Sequence, residues 1–358
     1  MPPSQFTCRC MPTEYSFRRV WHSRNMSGSS ASLPNYRSIL AGRRLPGFLR
    51  CAQTMLDIDV TKEEGTLWQC HRQGLEMLKA GTRGGGPTSL LHLKSVLARR
   101  LLKPCRLCER RCKVDRLAGR IGYCGVGDSR ISNRFVHMGE ETDLIPSYTI
   151  FFSGCTFECL FCQNWDISQR ETGTILDAGA VARDIDEHFG DVRNINWVGG
   201  EPTPNLPFIL DVLTMAREPI PQIWNSNMYM TEEATALLDG VVDIYLADFK
   251  WGPGDCSRRY SRVHNYWEIV KRNHSLANAQ AEIMLRHLVM PGHVDCCTRP
   301  ILEWIATNLD TSKVVVNVMD QYRPEYKAFG IPSLNRRISE SEFLQAYRLA
   351  KTLGLEVT

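Results

Sequence analysis

Three cysteines, Cys155, Cys159 and Cys162, stand at the spacing C-x3-C-x2-C directly after a short apolar run at residues 149–152. Three thiolates on one loop can each take one iron of a cubane [4Fe–4S] cluster, and this spacing supplies no ligand to the fourth iron. An iron left open can bind a substrate or cofactor, as the open position of a catalytic zinc does. Two other chemistries use the same residues: zinc on three cysteines with a remote fourth ligand, and a disulfide. The front of the chain lacks the continuous apolar stretch of a secretory signal, which disfavours the disulfide.

A second set, Cys105, Cys108, Cys112 and Cys124, reads C-x2-C-x3-C-x11-C. Four thiolates close a tetrahedral zinc, and they equally hold an auxiliary [4Fe–4S] cluster without an open iron. The spacing leaves zinc and cluster equal. Residues 91–124 carry ten basic side chains against two acids. That excess suits either an RNA or acidic-protein docking face or the cationic neighbours that buried thiolates need; the second reading is preferred. Cys256, Cys296 and Cys297 can supplement a site, although isolated cysteines are more often small buried hydrophobes. Cys8, Cys10, Cys51 and Cys70 receive no role.

These cysteines need elements to position them. Apolar, β-branched or aromatic runs recur at residues 149–152, 195–198, 222–224, 244–246, 282–289 and 314–318. Helical patterns lie between and after them, at 178–189, 206–216, 232–238, 266–279, 299–308 and 340–353, the last opened by a capping box of Ser339 and Glu342. Such alternation predicts parallel strands with right-handed crossovers, and six units suit a partial barrel rather than a closed eight-unit one. Upstream, 67–79 and 90–102 read as helices separated by the Gly84-Gly85-Gly86 breaker.

At the C-x3-C-x2-C motif the chain resembles the radical S-adenosylmethionine (SAM) superfamily. Phe161 stands where that family has an aromatic near the adenine, and Asn164 resembles the Cys-x-Asn of glycyl-radical activating enzymes. Later strand ends continue the resemblance. Gly199-Gly200-Glu201-Pro202 is similar to the segment that receives the SAM amino group, although taken alone it reads more readily as an ordinary glycine turn. Asn225-Ser226-Asn227 and Asp248-Phe249-Lys250 are similar to the polar strand ends of formate-lyase-type activators, with Asn225 replacing their usual aspartate. Arg286 followed by Met290-Pro291-Gly292-His293 resembles the family's arginine and turn, and the resemblance gives Arg286 the SAM carboxylate. The segment from Asn317 to Tyr322 is similar as well. All of these groups fall at C-terminal strand ends, where barrel active sites form. The four-cysteine stretch ending in Gly122-Tyr123-Cys124 resembles formate-lyase-activator-like Fe–S proteins in particular, as does the segment from Leu33 to Gly42.

The resemblance implies a partial (β/α)6 TIM-like barrel of the radical SAM type with a helical, cysteine-containing N-terminal extension. It implies a [4Fe–4S] cluster on Cys155, Cys159 and Cys162, SAM as cofactor, and a low-potential electron donor. Phe161, Gly199, Gly200, Glu201, Asn227, Asp248, Lys250 and Arg286 are its candidates for holding SAM. The leading activity is formation of a glycyl radical on a partner protein. Radical modification of a small molecule or RNA is the alternative, and a non-catalytic Fe–S or zinc scaffold the third reading.

Composition bounds the rest. The 358 residues carry a net charge of +4, of which residues 1–50 contribute +7 and the remainder −3. A body this close to neutral argues against a nucleic-acid coat. No stretch of 18 apolar residues exists, which excludes a membrane-spanning helix. The expected divisions are a leader at 1–32, either transit-like or disordered, a helical region with an insertion at 33–104, a metal-binding segment at 105–128 and the core domain at 148–358. The expected location is the cytoplasm or mitochondrial matrix, not the secretory route.

Overall fold

The computed structural model describes residues 33–139 and 141–358; the expected leader lies outside them. Among the described residues ten strands run in chain order: β1 Met55–Leu56, β2 Thr88–Ser89, β3 Arg130–His137, β4 Ser147–Phe152, β5 Thr174–Ile175, β6 Asn194–Gly199, β7 Gln222–Ser226, β8 Ile244–Asp248, β9 Glu282–Leu288 and β10 Val314–Met319. The main sheet has the order β10-β9-β8-β7-β6-β4-β3-β5. Its six strands β4, β6, β7, β8, β9 and β10 are parallel neighbours in chain order. This is the expected partial barrel, and the sheet stays open.

Both faces of these strands are covered, so they read as near-continuous apolar runs. Register sorts the two faces. Residues opposite one another, such as Ile223, Ile244, Met284 and Val315, point into the barrel. The alternate set, including Trp197, Trp224, Tyr245 and Leu285, packs outward against the helices. Those helices are α6 Ala178–Glu187, α7 Leu206–Met215, α8 Glu232–Leu238, α10 Tyr266–Gln280, α11 Arg299–Asn308 and α12 Glu340–Thr352; the short α5 Trp165–Ser168 and α9 Cys256–Ser261 lie in loops above the sheet. Oxygen-bearing side chains start several of them: Asp177 accepts from Ala180 N (3.1 Å), and Thr231 accepts from Ala234 N (3.2 Å). At α12 both arms of the expected capping box form between Ser339 and Glu342. Ser339→Ala is expected to cost about 1 kcal/mol in urea unfolding; an unchanged midpoint would show that α12 is held by packing alone.

Four upstream helices, α1 Pro34–Leu40, α2 Gly47–Gln53, α3 Glu64–Lys79 and α4 Leu90–Arg100, finish the architecture. The first two close the barrel at the N-terminal ends of its strands. Leu33 and Tyr36, each 1% exposed, join the inward-facing apolar cluster. Asn35 N and Tyr36 N donate to the Glu282 carboxylate (2.6 and 3.0 Å), and Asn194 Nδ2 donates to Tyr36 Oη (2.8 Å). Asp243 ties the start of α2 to β7, accepting from Gly47 N and Gln222 N (both 2.8 Å). The segment holding α3 and α4 docks on α7, where Ser95 and Arg99 both bond Asp211.

β3 falls outside the expected elements. Its Arg130–His137 run mixes polar and apolar residues and is largely exposed, so no clean alternation marks it. Pairing with β4 makes it a strand, with a register shift between Ile131 and Asn133. At the far side, the C-terminal tail covers the β10 edge: Val316 N donates to Glu356 O (2.8 Å) and Thr358 N to Val316 O (3.1 Å).

Candidate active site at the strand ends

Cys155, Cys159 and Cys162 lie on the loop that leaves β4 at its C-terminal end. Each sulfur has a local partner. Phe157 N donates to Cys155 Sγ (3.3 Å), Cys159 Sγ donates to Ser261 Oγ (3.1 Å), and Cys162 Sγ shares a hydrogen bond with Ser168 Oγ (3.3 Å). Burial pushes all three thiols up, Cys159 to about 12. Glu201 adds to the rise at Cys155, while Lys250 opposes it at Cys159 and Cys162.

The end of β6 presses against this loop. Gly199 has φ +130°, and a Cβ there would lie 2.2 Å from Phe152 N. At Gly200 a Cβ would lie 2.1 Å from Gly154 O, one residue before Cys155. Both glycines are therefore required by backbone packing against β4 and the cysteine loop. Gly200→Ala is expected to destabilise the chain by about 2 kcal/mol and to lower the iron retained per chain, since the obstructing atom is backbone; iron content at the parent level would show the loop tolerates the shift.

Glu201 is 1% exposed and acts as a strut between strand ends. Its carboxylate accepts from Thr203 Oγ1 (2.5 Å), Ser226 Oγ (2.6 Å) and Asn227 N (2.9 Å). Burial raises it despite these donors. Asn227 continues the tie: its Nδ2 donates to Thr156 Oγ1 (2.9 Å) and reaches Cys155 Sγ at 3.9 Å. Sequence reasoning placed Glu201 among the SAM-holding residues; the structure turns its oxygens toward protein donors.

Asp248, Lys250, Arg286 and Asn225 form one network at the mouth. Arg286 Nε donates to Asp248 Oδ1 (2.9 Å), Arg286 Nη2 to Asn225 Oδ1 (2.5 Å), and Lys250 Nζ pairs with Asp248 Oδ2. Burial pulls the Asp248 carboxyl up, but Arg286 and Lys250 together outweigh it and hold it below the ordinary carboxylate range. Asn225 thus serves the guanidinium. Phe161 is 5% exposed and packs edge-on to Trp251 at 5.5 Å and tilted to Tyr322 at 6.1 Å.

The four-cysteine segment docks beside the same loop. Cys108 bridges Met230, Thr231 N donates to Leu107 O (3.2 Å), and Cys155 N donates to Cys124 O (3.2 Å). Burial raises Cys105, Cys108 and Cys124, and the neighbouring thiols of the same set add to each rise. The segment folds back on itself: Cys105 N donates to Val114 O (2.8 Å), Lys113 N donates to Cys105 O (3.2 Å), and a Cβ at Gly122 would lie 2.5 Å from Cys112 Sγ. Arg116 opposes the rise at Cys105 and Cys124; it is buried and donates to Pro204 O (2.8 Å) and Gly127 O (2.9 Å). Arg110 lies over the Tyr123 ring at 3.7 Å and donates to Thr156 O (2.8 Å). Arg116 thus sits beside these thiols, and Arg110 is engaged by Tyr123 and Thr156.

Residues 149–305 match the Radical SAM superfamily, covering the barrel from β4 to α11. A protein of Methanocaldococcus jannaschii, Uncharacterized protein MJ0674, is 48% identical over 276 residues, 75% of this chain and 80% of that one. The chain belongs to the radical SAM superfamily. The Pyruvate formate-lyase-activating enzyme of Streptococcus mutans is 23% identical over 167 residues, 41% of this chain and 60% of that enzyme. A solved domain of the pyruvate-formate lyase-activating enzyme from Bacteroides vulgatus is 16% identical, with a TM-score of 0.38 over 46% of this chain and 97% of that one.

Radical SAM proteins imply catalysis with a [4Fe–4S] cluster and SAM. The donor set here fits that cluster. Its three thiols lie on one loop and burial raises each of them, so a bound metal would be what favours their thiolate form. Cys155, Cys159 and Cys162 would hold the iron. Ser261, Ser168 and Thr156, which partner this loop, escaped the sequence reading because serine and threonine carry no pattern that marks them. Cys256, His293 and Cys296 also converge, from segments that sequence alone leaves far apart.

No helix among the described residues is long and apolar enough to cross a membrane.

Proposed function

We propose that this radical SAM protein is an activating enzyme that forms a glycyl radical on a partner polypeptide. The observation that carries the reading is the convergence of the three-cysteine loop with Asn227, Asp248, Lys250 and Arg286 at one end of a barrel whose other end is plugged. Similarity to the Streptococcus mutans activating enzyme supports the choice of partner chemistry. Held by Cys155, Cys159 and Cys162 and reduced by an external low-potential donor, a [4Fe–4S] cluster would supply one-electron reduction of SAM, the chemistry from which hydrogen abstraction on a substrate follows.

The chain's own residues bind and orient. Arg286 and Lys250 present cationic groups for the SAM carboxylate, with Asp248 fixing their direction. Gly199 and Gly200 form the floor, Glu201 and Asn227 brace it, and Phe161 stands beside the adenine place. Phe161, Trp251 and Tyr322 keep water from the loop on that side. Cys105, Cys108, Cys112 and Cys124 hold a second metal group, zinc or an auxiliary cluster, that stiffens the segment against which Cys155 rests.

The test is anaerobic reconstitution with iron and sulfide, then reduction with SAM present. Formation of 5′-deoxyadenosine is expected; its absence from a fully loaded chain defeats the catalytic reading. A glycyl-radical signal on a partner from the same proteome supports the activating role, and a proteome without such a partner overturns that role alone. Zinc and iron counts on the Cys155, Cys159 and Cys162 triple alanine variant identify the second group.

A further inference from the structure

Among the described residues, ligand atoms of Cys256, His293 and Cys296 lie within 4.8 Å of one another. Cys256 opens α9 in the loop after β8, and His293 and Cys296 come from the loop after β9. A single π-helical turn, Val294–Thr298, carries Cys296 and Cys297; such turns occur frequently at functional sites. Gly252 allows the two loops to meet, since a Cβ there would lie 2.4 Å from Cys296 O.

The imidazole is oriented. His293 Nδ1 pairs with Pro291 O at 2.7 Å, which leaves Nε2 for the sulfurs. The Cys297 thiol lies beside the group, 3.7 Å from Cys296 Sγ. Burial grades from His293 (buried) through Cys256 (half-buried) to Cys296 (exposed), so the group opens to solvent on the Cys296 side.

From this geometry we infer that Cys256, His293 and Cys296 form a Zn²⁺ site with a fourth position open to solvent or to a ligand. Two thiolates and one imidazole, with no carboxylate in the set, suit a borderline-soft ion and not magnesium or calcium. The neighbouring Asp295 is engaged with Arg299 (3.2 Å). This site is separate from both cysteine sets described above and does not depend on the proposed activity.

Its position gives it influence on the three-cysteine loop. The Trp251 ring lies 5.7 Å from His293 and 5.5 Å from Phe161, and its Nε1 donates to Ser261 Oγ (2.8 Å). That same oxygen accepts from Cys159. A metal clamping the loops after β8 and β9 would therefore fix α9, and through Ser261 and Trp251 the wall of the SAM site.

The test uses the full chain, purified anaerobically and under reducing conditions. Iodoacetamide labelling is mapped by peptide mass with and without added Zn²⁺. Zinc is expected to protect Cys256 and Cys296 and a chelator to restore their labelling, while Cys70 on α3 labels equally in both states. Equal labelling of Cys256 and Cys296 with and without zinc overturns the inference, as does recovery of the pair as a disulfide. Cys256→Ser is expected to lose one zinc equivalent with the iron content of the chain unchanged; a retained equivalent overturns the site on a second readout.

Discussion

Cys159→Ala is expected to remain folded, to hold little iron on the β4 loop after reconstitution, and to yield no detectable 5′-deoxyadenosine from reduced SAM. Cys159 is one of the three proposed ligands on a single loop, and its replacement leaves two, which would not retain a cubane with one open iron. The folding cost is small by comparison. The lost group is one sulfur with a hydrogen bond to Ser261 Oγ, and Trp251 Nε1 still donates to that oxygen. About 1 kcal/mol follows from the lost bond, which urea unfolding would show as a modest shift. Cys70→Ala serves as the matched control, because Cys70 lies on α3 outside both cysteine sets. Product from Cys159→Ala at the parent level would mean that this loop does not hold the catalytic iron.

What sequence could reveal divides along a physical line. The six parallel strands were legible because strands buried on both faces must be apolar throughout, and Trp197, Trp224 and Leu285 meet that condition in their runs. The α12 start was legible because a capping box is a local hydrogen-bond pattern. β3 was hidden, since its pairing with β4 makes it a strand and its exposed face imposes no apolar pattern. The role of Glu201 was hidden for a related reason. Its donors sit at Thr203, Ser226 and Asn227, and two of those come from another strand end. Likewise Cys256 and Cys296 are forty residues apart in sequence and meet only because β8 and β9 are parallel neighbours. Motifs on one loop, and strand ends that resemble a known family, could be read; which side chains bond one another across the sheet could not.

Asp248 is where fold and chemistry are most tightly joined, and Asp248→Ala is expected to damage both. Its carboxylate serves two cations, Arg286 and Lys250, and all three side chains are only 15–20% exposed. Removing the acid leaves two positive groups facing each other, with Asn225 still accepting from Arg286. A fully buried pair broken on one side loses 3–5 kcal/mol, and the remaining exposure here places the loss near the lower end, about 3 kcal/mol. Lys250→Met in the Asp248→Ala background should return part of that stability, because the surviving repulsion is removed. SAM affinity, measured by equilibrium dialysis on the iron-loaded chain, should fall about tenfold in Asp248→Ala, since Arg286 and Lys250 lose the group that aims them. The stability difference has a defined pH course. Asp248 is held below its ordinary range in the folded chain, so its contribution is present above the unfolded carboxylate value of about 4 and lost as pH falls through the lower folded value. Parent and variant should therefore differ at neutral pH and converge in acid; a difference that persists unchanged into acid would assign the loss to packing and not to charge.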